Sequence, residues 1–331
     1  MSQDDTLSYK KLFALSKETK LDNLTKEVIK QIETEYKNNH INDYASFLSK
    51  FDVFPLECPR CNSSAIMKYG HTKNGSNRYK CRDCSKVFNR ANKSLLFSSK
   101  VNINAWYSFL EGIVSEISVK AAARKAKISL VTASTWMKRI FIAIKDFQDE
   151  IELDGDIYID ETYYSKERSK EIKYNGLKLR GISANQYCVL IMRNKRNVVL
   201  KYIGMGKQSG SKVADELAKH IKSGSTIYHD GDKSHGDFIK EDNVINKQYR
   251  AKNRLGLYNL ETQEVLKPIN DECKKLNFFL NKHRGFKKEF DLQDYLNLYS
   301  YIYNQKYKSP NIFLITRGLF FRILSKKERF K

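Results

Sequence analysis

Two cysteine pairs constrain this chain more than any other feature. The runs CPRC (58–61) and CRDC (81–84) are separated by 19 residues. A Cys-x-x-Cys turn aims two thiolates at one point. Two such knuckles on adjacent hairpins make a closed tetrahedral site for Zn2+ with four thiolate ligands, here Cys58, Cys61, Cys81 and Cys84. Gly70, Asn74 and Gly75 lie between the pairs and supply the turn chemistry of a hairpin. Arg60, Lys68, Lys73, Arg78, Lys80 and Arg82 surround it with positive charge. The zinc is expected to be structural, because four thiolates leave no coordination position open for chemistry. A redox dithiol needs one such pair, not two. His71 reads as a hairpin surface residue rather than a ligand.

The charge balance points to the partner. The chain has 60 Lys+Arg against 38 Asp+Glu, a formal net charge of +22. A surplus this large favours a polyanion, with nucleic acid ahead of membrane. The 331 residues are enough for about two domains, and 41% hydrophobic with 30% charged residues is a globular composition. No run of about 18 uncharged apolar residues occurs, and the mixed-charge N-terminus MSQDDTLSYKKLF is not a secretory signal. A cytoplasmic chain with reduced cysteines is expected. Cys188 and Cys273 stand outside the cluster and read as packing residues.

Along the chain, residues 1–50 read as a helical appendage. Leu24, Val28, Ile29, Ile32 and Tyr36 recur mostly at steps of three and four. The ribbon is placed at 51–95. Residues 100–148 read as helices. Trp106, Phe109, Leu110 and Ile113 make one apolar face. Ser118 can cap a short helix at Val119–Lys125, and Lys127, Ile128 and Ser129 make a turn. Ser129 then caps a second helix with Ala133, Trp136, Met137 and Ile140 inward. That is a helix-turn-helix pattern. Ser129, Val131, Ser134, Thr135 and Lys138 would lie on its exposed side, able to enter a major groove.

The period then switches. Strand-like runs at 157–159, 187–193, 198–204 and 225–229, with a helix at 213–222, predict an α/β sheet. Asp160 ends the first of these strands and Asp230 the last. Carboxylates at neighbouring strand ends can bridge a hard divalent ion such as Mg2+, which serves phosphoryl displacement. Asp156 competes with Asp160 from the start of the same strand, and Glu161 points the other way. Further helices follow, one starting near Ile269 or Asn270 after Pro268, the other over Leu292–Tyr303. Lys274, Lys275, Lys282, Arg284, Lys287 and Lys288 make this region strongly basic, either as a solvated face or as a DNA contact.

Taken in order, CPRC…YKCRDCSKVF, IDETYYS, HDGD and INDECKKLNFFLNKHRGF with LQDYLNLYSYIYN resemble bacterial insertion-sequence transposases of the ISXO type. These carry a DDE-type, ribonuclease-H-like catalytic domain behind a zinc ribbon. The resemblance runs from about Cys58 to Tyr303. It implies an α/β ribonuclease-H-like catalytic domain over 150–310 and leaves 311–331 as a basic C-terminal tail. It implies that Asp160 and Asp230 hold Mg2+ or Mn2+. The third family position falls on Asn270. Asn is a neutral oxygen ligand that neutralises less charge, and Asp271 and Glu272 are alternatives. Successive helical residues point about 100° apart, so one of the three can face the metal. A Lys of the family falls on Asn277, and Lys274, four residues after Asn270, could replace it.

The activity so implied is transposition. Water would hydrolyse a phosphodiester at the element end, and the freed 3′-hydroxyl would attack target DNA. The ribbon and the helix-turn-helix would read the terminal repeats, with lysines, including Lys274, Lys275 and the neighbouring Arg284, on phosphate. Two ends must meet, so a homodimer or larger assembly on nucleoid DNA is implied. A DNA-binding regulator and a nuclease without strand transfer are the alternatives, and an inactive copy is a third.

Overall fold

The structure, a computed structural model, describes residues 57–71, 77–89, 95, 103–165, 173–174, 177–178, 186–241, 243–250, 260–283 and 289–325. The helix expected within 1–50 lies outside them, as do Lys73, Asn74, Gly75, Arg284, Lys287 and Lys288. Residues Pro55–Lys331 form one compact unit.

Strands β1 (Ile66–His71), β2 (Asn77–Cys81) and β3 (Val87–Asn89) pair antiparallel in chain order. Their core is small: Tyr79, Phe88, Cys58 and Cys81, with Ile66 and Cys84 beside them.

Helices α1 (Ile103–Val114), α2 (Val119–Lys125) and α3 (Leu130–Ile144) follow. Trp106, Phe109, Leu110 and Ile113 are fully buried, as their spacing predicts. Both caps form: Ser118 Oγ accepts from Ala121 N at 3.2 Å, and Ser129 Oγ from Thr132 N at 3.1 Å. Each is worth about 1 kcal/mol. Lys127, at φ 55°, turns the chain between them. Trp136 stacks on Trp106 with ring centroids 3.7 Å apart. Gly112 lets α1 and α2 touch, since a Cβ there would lie 2.9 Å from Ala122 Cβ.

The main sheet has the order β10-β9-β4-β7-β8. Its strands are β4 (Asp156–Ser165), β7 (Gln186–Arg193), β8 (Val198–Met205), β9 (Thr226–His229) and β10 (Ile245–Gln248). A two-residue ladder, β5 (Lys173–Tyr174) with β6 (Leu177–Lys178), stands apart from it. β7 lies between β4 and β8 and runs antiparallel to both, while β9 and β10 run parallel to β4. One face packs Ile157, Ile159, Leu190 and Met192 against α4 (Gly210–Ala218) and α5 (Gly236–Glu241), through Val213, Leu217 and Phe238. α6 (Leu260–Val265) leads into α7 (Lys267–Lys282), and α8 (Glu289–Lys308) follows. α7 packs on β4 and β7, and α8 packs on β8.

The four predicted strands are present with shifted ends, and β4 runs on to Ser165. β10 was not predicted; all four of its residues are exposed, so no apolar alternation marks it. The predicted basic tail is also corrected. α9 (Ile312–Ser325) buries Ile315, Leu319, Phe320 and Ile323 and packs on α1 and α3. The lysines that suggested a tail come after it.

Strand β8 would be a bare edge, but polar side chains close it. Val198 N donates to Asn304 Oδ1 at 2.7 Å, Leu200 N to Gln148 Oε1 at 2.7 Å, and Tyr202 N to Gln293 Oε1 at 2.9 Å. The carbonyls of Val198 and Leu200 accept from Ser300, Asn304, Gln148 and Gln293. The backbone groups that another strand would have used are thereby satisfied.

Candidate active site

β4 and β9 are adjacent and parallel, with Ile157 opposite Ile227 and Tyr158 opposite Tyr228. The tyrosine rings stack at 4.8 Å on the face away from the aliphatic core. Carried two residues further, past the end of β9 at His229, the same register would bring Asp230 level with Asp160 on that face. Asp160 Oδ1 accepts from Glu161 N at 2.8 Å, and its Oδ2 lies 3.8 Å from Cys273 Sγ. Burial pushes the Asp160 carboxyl up to about 7, with Asp230 and then Glu161 adding to the rise. Asp230 is exposed, and its Oδ1 accepts from Asp232 N at 2.9 Å. Gly231, at φ +87°, makes the turn that follows, a conformation that glycine enters without cost.

A buried chain of polar groups ties the two strand ends together. Glu161 accepts from Ser234 Oγ at 2.7 Å and meets His235 Nε2 at 3.0 Å. His235 Nδ1 lies 3.1 Å from His229 Nδ1, and His229 Nε2 lies 2.9 Å from Asn246 Oδ1. Burial disfavours the charge on His235, but the Glu161 carboxylate overrides it and raises His235. Burial lowers His229. With both its nitrogens protonated, His235 would donate to Glu161 and to His229 Nδ1, and His229 Nε2 would donate to Asn246, so that every ring nitrogen has a partner. His229, Asp230 and His235 offer ligand atoms within 4.8 Å of one another, enough to reach one ion, yet the imidazoles are already satisfied by this chain. Their burial agrees with packing, and Glu161 and Ser234 complete a link that spacing alone does not reveal.

Helix α7 brings other groups to this face. Tyr164 Oη donates to Asn281 Oδ1 at 3.1 Å, so α7 runs beside β4 from Asp160 to Tyr164. Cys273, read as a packing residue, is the α7 side chain beside Asp160. Asn270 is exposed and lies one turn earlier on the same helical face. Glu272 does not join them. It is fully buried and accepts from Arg193 at 2.9 Å, Tyr299 at 2.7 Å and Tyr307 at 3.0 Å. As a metal ligand, Glu272 is therefore corrected: its carboxylate faces α8 and Arg193. Lys274 and Lys275 are exposed, and Lys274 pairs with Asp271 at 3.5 Å.

The four cysteine sulfurs lie within 4.8 Å of one another, with Cys58 to Cys84 at 3.5 Å and Cys61 to Cys81 at 3.6 Å. A Zn–S bond of about 2.3 Å makes tetrahedral S···S edges of about 3.8 Å, so this set fits Zn2+. On α3, Ser129, Ser134 and Lys138 are exposed and Val131 is 79% exposed. Thr135 is half-buried and donates to Val131 O.

No family model matches the chain. It is 22% identical over 201 residues to a Halobacterium salinarum protein described as an uncharacterized protein in transposable element ISH50, covering 58% of this chain and 67% of that one. It is 42% identical over 33 residues to the insertion element iso-IS1N protein InsA of Shigella dysenteriae, covering 10% of this chain and 37% of InsA's length. Among solved structures, the Mos1 strand transfer complex aligns at TM-score 0.31 and 12% identity, covering 68% of this chain and 79% of that chain. The Mos1 paired-end complex with the left transposon end aligns at 0.32 and 12%, covering 68% and 80%. Superpositions this loose carry no weight for fold or mechanism. No helix among the described residues is long and apolar enough to cross a membrane.

Proposed function

We propose that the chain is a DDE-type DNA transposase of the ISXO kind. The observation that carries this reading is Asp160 on β4 beside Asp230, which follows the adjacent parallel strand β9, with the Asp160 carboxyl raised to about 7 by burial and then by Asp230. A buried carboxylate whose ionisation is opposed by a neighbouring carboxylate is a site for a divalent cation. Asp160 and Asp230 would hold Mg2+ or Mn2+, with Asn270 as the α7 residue best placed to complete the set. When bound, such ions activate a water or hydroxyl nucleophile and stabilise the leaving oxygen in an in-line displacement. The Glu161–His235–His229 link would hold the two aspartates at a fixed separation. The sheet order, three antiparallel strands followed by two parallel ones, suits a ribonuclease-H-like domain. The transposable-element relatives point the same way.

Cys58, Cys61, Cys81 and Cys84 would hold structural Zn2+. α2 and α3 would act as a helix-turn-helix on the terminal repeats, with Ser129, Val131, Ser134, Thr135 and Lys138 towards DNA. Lys274 and Lys275 would add phosphate contacts, and Arg284 is proposed with them from the sequence alone. Pairing of two element ends calls for a dimer or larger assembly on DNA. The test is strand cleavage and joining on candidate element ends with Mg2+ or Mn2+. Asp160→Asn and Asp230→Asn should each abolish both steps while DNA binding persists. Wild-type rates in both variants would refute the mechanism.

A further inference from the structure

α7 roofs one half of the sheet face that carries Asp160 and Asp230. It packs on β4 and β7, where its Glu272 holds Arg193, the residue opposite Tyr158. On the β9 and β10 side lies a row of half-buried tyrosine rings. Tyr158 and Tyr228 stack at 4.8 Å, and Tyr228 and Tyr249 at 6.2 Å with planes 13° apart. Tyr249 follows β10, and its N donates to His229 O at 2.8 Å, so the row crosses three neighbouring strands. Lys247 sits opposite Tyr228, with Nζ 5.6 Å from the centre of that ring. The fold leaves the polar groups of this row unused. None of the three phenol oxygens makes a hydrogen bond among the described residues, and none is sealed from solvent. Lys247 is exposed and makes no ion pair among them.

We propose that this row is the floor for the DNA strand that enters the active site, with the phenols donating to phosphate oxygens and Lys247 neutralising one phosphate. This placement rests on Asp160 and Asp230 being the metal pair, and it adds where the strand lies. The group that reacts there is itself a phosphate, so its neighbours in the strand must lie on the open side of the same face. α7 occupies the β7 side, which leaves β9 and β10. Neighbouring strands are about 4.7–4.9 Å apart, and stacked rings hold one another upright, so the hydroxyls keep their spacing before any DNA arrives. Tyr and Lys contacts to phosphate position a strand without reading its sequence. The ring faces are turned to one another, so the floor serves the backbone rather than the bases. Asp156, at the start of β4, is the acid of this face outside the metal pair among the described strands, and a divalent ion offsets the pair.

The experiment uses the full chain with 13C-labelled tyrosine rings and saturating Ca2+, titrated with tetrathymidylate and followed by NMR. Tyr158→Phe, Tyr228→Phe and Tyr249→Phe, made singly, assign the three signals. All three should move together along one saturation curve. An abasic tetramer should bind within about threefold of tetrathymidylate, because the contacts are to phosphate. A methylphosphonate tetramer, whose backbone is neutral, should bind weaker by about tenfold or more. The double variant Tyr158→Phe/Tyr249→Phe keeps every ring and leaves Tyr228 as reporter, and its titration should weaken by about tenfold. Lys247→Ala should weaken it as well. Thermal unfolding of each variant separates loss of the floor from loss of the fold. Signals that stay still, equal titration by the methylphosphonate tetramer, or an unweakened double variant would overturn the proposal. So would shifts that follow protein concentration without DNA, since a second copy would then cover the face. Strand cleavage with unmoved tyrosines would fault the floor alone, whereas titrating tyrosines in a chain that never cleaves would support the floor and fault the transposase reading.

Discussion

Replacing Glu272 by Ala separates two roles that the sequence leaves open, metal ligand and structural anchor. The carboxylate is fully buried and holds Arg193, Tyr299 and Tyr307. Arg193 also donates to Pro268 O at 3.1 Å, and its side chain is only 14% exposed. Removing Glu272 leaves a largely buried guanidinium without its counter-charge and two phenols without an acceptor. Breaking a buried pair in this way costs about 3–5 kcal/mol. The lost phenol bonds belong to the same network, so they are not added separately. For a unit the size of Pro55–Lys331, about 1.5–2 °C of melting temperature follows each kcal/mol, so Glu272→Ala should melt roughly 5–10 °C lower. Glu272→Gln keeps the shape and one acceptor oxygen but turns an amide towards donors, so it should fall between. The assay is thermal and urea unfolding followed by circular dichroism, with divalent-ion binding measured on the folded fraction. Wild-type stability in Glu272→Ala together with lost ion binding would show that the carboxylate reaches the metal, and the anchor argument would fail.

Other expectations follow from the same geometry. Asp160 binds its proton more tightly folded than unfolded, so its contribution is full below about pH 4 and is lost as pH rises towards about 7. In metal-free protein, Asp160→Asn should therefore raise the melting temperature at pH 8 and leave it unchanged at pH 4, with an upper bound of about 4 kcal/mol. Equal curves at both pH values would refute the burial argument. Cys58→Ser should lose the bound zinc in metal analysis and expose residues 57–89 to proteolysis, and full zinc content in the variant would contradict the four-thiolate assignment. Lys138→Ala should weaken binding to specific and unrelated DNA alike and lower the salt slope by about one unit. Unchanged binding at low salt would turn α3 away from DNA.

Local chemistry was legible in the sequence where it is carried by neighbouring residues. The cysteine knuckles, the Ser118 and Ser129 caps, and the inward faces of α1 and α3 follow from spacings of two to four residues. Asp230 was legible as the residue just past a strand end, but Asp160 was not: β4 continues through Thr162, Tyr163 and Tyr164 to Ser165, paired with β7, although its aliphatic run stops at Ile159. What spacing cannot show is which buried polar groups meet across elements. Glu272 sits two residues from Asn270, and its direction is decided by Tyr299, Tyr307 and Arg193, none of them near in sequence. The Glu161–His235 link joins β4 to the turn after β9 in the same way. β10 was missed because it contributes backbone pairing and almost no apolar burial. α9 lies beyond the stretch that resembles the transposases, although Ile315, Leu319 and Ile323 recur at steps of four.

The polar closure of β8 has a mechanical consequence. Gln293, Asn297, Ser300 and Asn304 recur along α8 at steps of four, three and four. Asn297 donates to Lys145 O at 3.1 Å and accepts from Gln148, while the other three grip β8 directly. Apolar contacts tolerate a helix sliding by an ångström or two, whereas directional bonds at four successive positions do not. α8 is thus indexed to the strand like a key cut for one lock. Gln148 and Lys145 lie just past the end of α3, so the indexing reaches the helix that would face DNA. Motion between α3 and the sheet must then proceed with this joint intact, or by breaking several buried hydrogen bonds at once.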